Sequence, residues 1–127
     1  MKVAFDTNAY RQLLDGDAKA TSVLRTAERI CLPVPVLAEL RFGFLNGSRA
    51  RVNLANLDAF VEGERVEVLA CDDETARRYA ELRLQLKRQG TPIPMNDIWI
   101  AALTLQHGAT LFTRDADFDH LPQLSRV

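Results

Sequence analysis

The chain opens with Lys2-Val3-Ala4-Phe5-Asp6-Thr7-Asn8. Lys2–Asp6 is a short apolar run ending in an acid and reads as a buried strand. The strand ends in an acid beside two polar residues. A carboxylate there needs a purpose; an N-terminal turn of the Asx kind supplies one, a ligand site another. Outward from this stretch the chain alternates. Thr7–Leu14 has helical character and stops at Asp15-Gly16, and Asp17 caps a second helix running to about Arg29. Ile30–Leu32 is a second strand, ended by Pro33 and Pro35, and Pro35 suits the first turn of a helix carrying Val36, Leu37, Leu40 and Phe44. Ser48-Arg49-Ala50-Arg51 reads as a basic loop before a helix with Leu54, Leu57, Phe60 and Val61. Val66–Ala70 is a third strand, and Asp72-Asp73 caps a long helix to about Gln89, closed by Gly90. Asn96 is expected to cap a largely apolar helix from Asp97 to about His107. Thr110–Thr113 is a fourth strand, and Leu124–Val127 reads as a short edge strand. Short strands alternating with helices predict an α/β fold with a mainly parallel sheet covered on both faces.

At 127 residues the chain fits one domain, residues 1–127, large enough for a core without staples. With 47% hydrophobic and 26% charged residues it is neither a disordered nor a low-complexity chain. The longest uncharged stretch, Ile98–Thr113, is interrupted by Gln106, His107 and Gly108 and falls short of a membrane span. Asp6 truncates any signal-peptide apolar region, so a cytoplasmic protein is expected. Cys31 and Cys71 form no C-x-x-C pair and are expected to be small buried hydrophobes. The net charge of −1 does not announce a nucleic-acid binder.

The placement of the acids is more informative than their number. Asp6 ends the first strand and Asp115 follows the fourth; in open α/β sheets ligands collect beyond the carboxyl ends of strands. Asp97 opens a helix, and Glu39 lies within an otherwise apolar one. Singly, Asp97 is a dipole-stabilised helix-start acid, Asp115 a turn residue and Glu39 the polar edge of a helix. Together, converging carboxylates repel by about 4 kcal/mol per pair at ~4 Å and an effective dielectric near 20. A divalent cation removes that cost, and oxygen-only ligands suit Mg²⁺ or Mn²⁺, ions that serve phosphodiester hydrolysis. His107 and His120 have no nucleophile partner, which argues against histidine-based general-base catalysis.

Four segments, in order, resemble a PIN-domain protein, and more narrowly a VapC-type toxin ribonuclease. They are Phe5-Asp6-Thr7-Asn8, Val36–Gly43 around Glu39, Asn96–Ala102 after the Thr91–Met95 loop, and Leu111–Phe118. The resemblance implies a PIN-like three-layer α/β/α sandwich. It also implies that Asp6, Glu39, Asp97 and Asp115 are the catalytic, metal-binding acids. Asp117 would assist through water, Thr7 and Thr113 would support the acids, and Asn8 would orient the first of them. The implied activity is a Mg²⁺- or Mn²⁺-dependent endoribonuclease of a toxin-antitoxin pair, inhibiting translation by cleaving structured RNA. An antitoxin encoded alongside would inhibit it with a basic side chain in the acidic pocket, and the enzyme would be a homodimer. Among rivals, a haloacid-dehalogenase-like phosphatase carries a second Asp where this chain has Asn8, and a receiver domain needs an acidic pair where only Asp6 stands. A catalytically silent PIN module that only binds partners is the alternative from another class; such modules usually lose an acid, and here all four are present.

Arg41, Arg49 and Arg51 are candidate RNA-binding residues at the pocket rim; each also reads as a solvated side chain. The long helix offers Arg77, Arg78, Arg83, Lys87 and Arg88, of which Arg77 and Arg78 read as a solvated face. Leu13, Leu14, Phe42, Phe44 and Leu45 are more apolar than one side of a small sheet needs, and suggest a dimer surface.

Overall fold

The computed structural model describes all 127 residues. Its elements run β1 (Lys2–Phe5), α1 (Thr7–Leu14), α2 (Ala18–Thr26), β2 (Arg29–Pro33), α3 (Val34–Leu45), α4 (Ala50–Val61), β3 (Val66–Leu69), α5 (Asp73–Gln89), α6 (Met95–Gln106) and β4 (Thr110–Phe112). A short 3₁₀ helix, Ala116–His120, follows. The four strands form one parallel sheet in the order β3-β2-β1-β4. Val3, Ala4 and Phe5 are successive residues, hence on alternate faces, and all are fully buried. Both faces of the central strand are therefore covered, which requires helices on each side and gives the expected sandwich.

The chain builds outward from β1 through β2 to β3, then returns to place β4 on the other side of β1. The direction of growth reverses between β1 and β4, and a crevice opens there beyond the carboxyl ends of the two strands. The sheet thus fixes where Asp6 and the segment after Phe112 meet.

Several boundaries differ from expectation. The second helix stops at Thr26, because the Arg65 guanidinium takes the carbonyls of Leu24 and Ala27 at 3.1 and 2.6 Å and frees the chain to enter β2. Pro33 belongs to β2, in register with Leu69, and marks the strand end. Arg51 lies in the first turn of α4 rather than in a loop. α6 begins at Met95 after Pro94, whose carbonyl accepts from the Asp97 and Ile98 amides; Asn96 makes no cap. The expected C-terminal strand reduces to one parallel bridge, Leu111 with Arg126. Cys31 is buried, but Cys71 is exposed, beyond the end of β3. Phe44 is core, packed by its ring against Tyr10, whereas Phe42 and Leu45 remain 70% and 67% exposed. No helix is long and apolar enough to cross a membrane.

Candidate active site

The crevice between the ends of β1 and β4 holds a cavity of about 460 Å³. Its walls carry the carboxylates of Asp6, Glu39, Asp97 and Asp115, with Thr7, Asn8 and Asn96 beside them. Four elements converge to make it. β1 ends at Asp6, α3 brings Glu39, the first turn of α6 brings Asp97, and the turn after β4 brings Asp115. No lysine or arginine lines it.

The sheet side of the pocket is closely hydrogen-bonded. Asp6 is only 5% exposed, and both of its oxygens are engaged. Oδ1 accepts from the Ala9 amide at 2.8 Å, capping α1, and Oδ2 accepts from the Thr113 hydroxyl at 2.5 Å. The helix-cap role and the pocket role of Asp6 therefore coexist. The Thr113 oxygen in turn accepts from the Asp115 amide at 3.0 Å, and Asp115 Oδ1 accepts from the Asp117 amide at 2.9 Å, starting the 3₁₀ helix. Burial pushes the Asp6 carboxyl above its ordinary range; the Thr113 and Ala9 hydrogen bonds oppose that, and the charge of Asp115 adds to it.

The α6 side is different. Asp97 has no hydrogen-bond partner in the helix cap, and its carboxyl is pushed up to about 7. Burial is the largest cause, followed by the negative charges of Asp115, Glu39, Asp117 and Asp6. Asp97, Asp115 and Asp117 each offer a carboxylate oxygen, and the three oxygens lie within 4.8 Å of one another. Asp117 thus sits inside the tightest group, drawn there by the 3₁₀ turn that Asp115 caps.

The nearest arginines in sequence leave this charge unneutralised. Arg114, between Thr113 and Asp115, turns away to grip Asp17 through both its terminal nitrogens at 3.1 and 2.8 Å. That contact holds the Asp17 carboxyl below its usual range. Arg41, two residues after Glu39, pairs with Asp58 of α4 at 2.9 Å. Arg49 lines a separate cavity with Arg11, Leu14 and Phe44, and Arg51 is exposed on α4. None of the three candidate RNA-binding arginines lines the acid pocket. The Thr7 hydroxyl is buried and unpaired, and Asn8 lines the pocket, while the bonds that hold Asp6 come from Thr113 and Ala9.

A carboxylate set of this kind, oxygen-only and without a compensating cation, fits a hard divalent ion in donor chemistry and in charge. Asn96, Pro94, Met95 and Ile100 also line the pocket and were not anticipated. The signal was present in Pro94: a proline just before a helix start directs the first turn, and with it Asn96 and Asp97, toward whatever the preceding loop crosses.

A parallel sheet with this strand order and an acid cluster at its reversal point defines the class, and the chain belongs to the PIN domain family, whose model matches residues 3–124. Within it, the chain is similar to Ribonuclease VapC5 of Mycobacterium tuberculosis, 34% identical over 100 residues that make up 79% of this chain and 74% of that protein. It is also similar to the tRNA(fMet)-specific endonuclease VapC of Salmonella typhimurium, 30% identical over 74% of this chain and 70% of that one. In structure it resembles VapBC-1 from nontypeable Haemophilus influenzae, with a TM-score of 0.86 and 27% identity, covering 100% of this chain and 97% of that one.

Proposed function

We propose that this chain is the toxin of a VapBC-type toxin-antitoxin pair, a Mg²⁺- or Mn²⁺-dependent endoribonuclease that acts in the cytoplasm and inhibits translation by cleaving structured RNA. The observation that carries the reading is the pocket itself: Asp6, Glu39, Asp97 and Asp115 face one crevice with no cation among them. Ribonuclease relatives support RNA as the substrate, and a relative specific for a tRNA supports a folded one.

Asp6, Glu39, Asp97 and Asp115 would hold the ion. When bound, it would polarise the scissile phosphate and lower the pKa of an attacking water. The chain's own residues supply the geometry. Thr113 fixes the Asp6 carboxylate and the Asp115 backbone at once, Asp115 caps the turn that presents Asp117, Asp117 assists through water, and Thr7 and Asn8 shape the wall beside Asp6. Arg41, Arg49 and Arg51 would contact phosphates beyond the pocket, positioning the RNA without reading its bases.

A cognate antitoxin is the second partner, supported by similarity to a VapBC assembly. A second copy of the chain is the third. Val34, Phe42 and Leu45 are exposed apolar residues on α3, the helix that carries Glu39, and a homodimer through this face would cover them. Sedimentation should give a dimer at tens of micromolar, roughly the range a specific interface reaches, and a monomer for Phe42→Glu.

The reading is tested by incubating RNA with purified protein and Mg²⁺ or Mn²⁺. The Asp6→Asn variant keeps the volume and the acceptor for the Ala9 amide but removes the charge, so it should be folded and inactive. Full metal-dependent cleavage by Asp6→Asn would sink the site assignment. A wild-type protein with no cleavage under any divalent ion would instead favour a silent binding module.

A further inference from the structure

α5 changes character along its length. In its first half the cations are matched: Arg77 pairs with Asp73 and Arg78 with Glu74, each one turn apart. In its second half Arg83, Lys87 and Arg88 are exposed, and none of them takes part in an ion pair. Arg83 reaches only the Tyr79 hydroxyl, at 3.3 Å.

Beside this half of α5 lies a groove of about 500 Å³. Arg83 and Lys87 form one wall; exposed Pro92 and Met95 contribute the opposite one, over a floor of the buried Leu86, Ile93 and Ile98. Met95 is 58% exposed and also lines the acid pocket, so the two cavities share it as a common ridge. The groove is preformed. Gly90 closes α5 in the left-handed region at φ 72°, a conformation that favours glycine, and the Thr91 amide bonds back to the Leu86 carbonyl at 3.0 Å. The Gln89 side-chain amide then ties the loop by donating to the Thr91 hydroxyl at 3.1 Å and to the His120 carbonyl at 3.0 Å.

We infer that this groove is the track for the RNA strand flanking the scissile phosphodiester, with a backbone phosphate against Arg83 and Lys87 and the face of a base against Pro92, Ile93 and Met95. The inference rests on the ribonuclease reading above and adds to it where the strand lies. Two features select a nucleotide. Unpaired cations and an apolar wall face each other across one groove, as the phosphate and the base of one nucleotide require. The groove also adjoins the acid pocket, so a strand lying in it carries its next phosphate towards the carboxylates. An acidic peptide would satisfy the cations alone.

The test titrates a labelled single-stranded RNA against full-length Asp6→Asn protein at several salt concentrations, alone and with Arg83→Gln and Lys87→Gln added. Inorganic polyphosphate and polyglutamate serve as further probes. The added substitutions should weaken RNA binding and make its salt dependence shallower by a slope of roughly 0.7, as expected for one lost phosphate on a single strand. Melting temperature should not change, nor should Mn²⁺ binding when Arg83→Gln and Lys87→Gln are made in the wild-type background. Met95→Ala should reduce the preference for RNA over polyphosphate, because it removes part of the base platform and no charge. RNA affinity and slope unchanged by the Arg83 and Lys87 substitutions, with wild-type cleavage intact, would overturn the track and leave the ribonuclease reading standing. Loss of polyglutamate and RNA binding in equal measure, with Met95→Ala affecting neither, would overturn it in favour of an acidic protein segment. Absence of RNA binding and cleavage by wild-type protein would overturn both.

Discussion

Asp6 and Asp97 are both aspartates at the start of a helix, and both face the same crevice, yet their surroundings are opposite. Asp6 is almost fully buried with each oxygen hydrogen-bonded. Asp97 is half-buried, caps nothing, and lies among four other carboxylates. The sheet side of the pocket is thus built and satisfied by the protein alone, whereas the α6 side is left with charge that the protein does not neutralise. Two arginines within two residues of pocket acids are turned to other partners, Arg114 to Asp17 and Arg41 to Asp58. A fold optimised only for stability would have turned one of them inward. The difference leaves on the α6 side the charge that a divalent cation would neutralise.

Removing the charge from Asp97 breaks the comparison with the largest expected effect. Asp97→Asn should reduce cleavage to background, as Asp6→Asn should, but the two should part in stability. The carboxyl of Asp97 is raised to about 7 from an unfolded value near 3.8. Below the unfolded value it is protonated in both states and the folded protein carries no penalty. As pH rises through about 7 the folded state must ionise it against its neighbours, and stability is lost. Asp6 is shifted in the same direction. Metal-free protein should therefore melt at a lower temperature at pH 8.5 than at pH 5.5. Asp97→Asn should shrink that difference, and Mg²⁺ should do the same in the wild type by binding only the folded state. Differential scanning calorimetry at the two pH values, with and without Mg²⁺, reads all of this. An Asp97→Asn protein as pH-sensitive as the wild type would mean the repulsion is relieved by solvent.

How much of this was legible beforehand differs between the two sides. The strand ending at Asp6 and the helix opening near Asp97 were readable from local pattern, because burial writes apolar runs and Pro94 writes a helix start. The convergence was readable only through resemblance: nothing local to Glu39 or Asp115 says that α3 and the turn after β4 meet. The network at Thr113 was readable only as a hydroxyl near acids, since which oxygen it bonds depends on the register of β4 against β1. Least legible was the direction of the arginines. Arg41 stands two residues from Glu39, but α3 leads it to Asp58 of the neighbouring α4, a partner seventeen residues away. The exposure of Cys71, and the division of Phe44 into the core from Phe42 and Leu45 at the surface, escape the sequence for a related reason. A residue just beyond a strand end, or late in an all-apolar helix, has no pattern to say which side it faces, and α3 is apolar nearly all round.

Thr113→Val sharpens the comparison with a smaller effect, because it strips support from the satisfied side without removing a carboxylate. Valine matches threonine in shape and favours a β conformation, so β4 should persist. What is lost is the hydroxyl that donates to Asp6 Oδ2 and accepts from the Asp115 amide. Cleavage should fall by about 10–100-fold, the usual cost of losing a group that orients a metal-binding residue. The pH profile separates this from a general loosening. The Thr113 hydrogen bond favours the charged form of Asp6 and holds its carboxyl down against burial. Without it the Asp6 carboxyl rises further, so the acid limb of the rate profile should move to higher pH, and the deficit should be largest in acid and narrow as pH rises. Thr113→Ser, which restores the hydroxyl, should recover both the rate and the acid limb. A Thr113→Val enzyme with the wild-type profile merely scaled down would show that Thr113 supports the turn through Asp115 and leaves the ionisation of Asp6 alone.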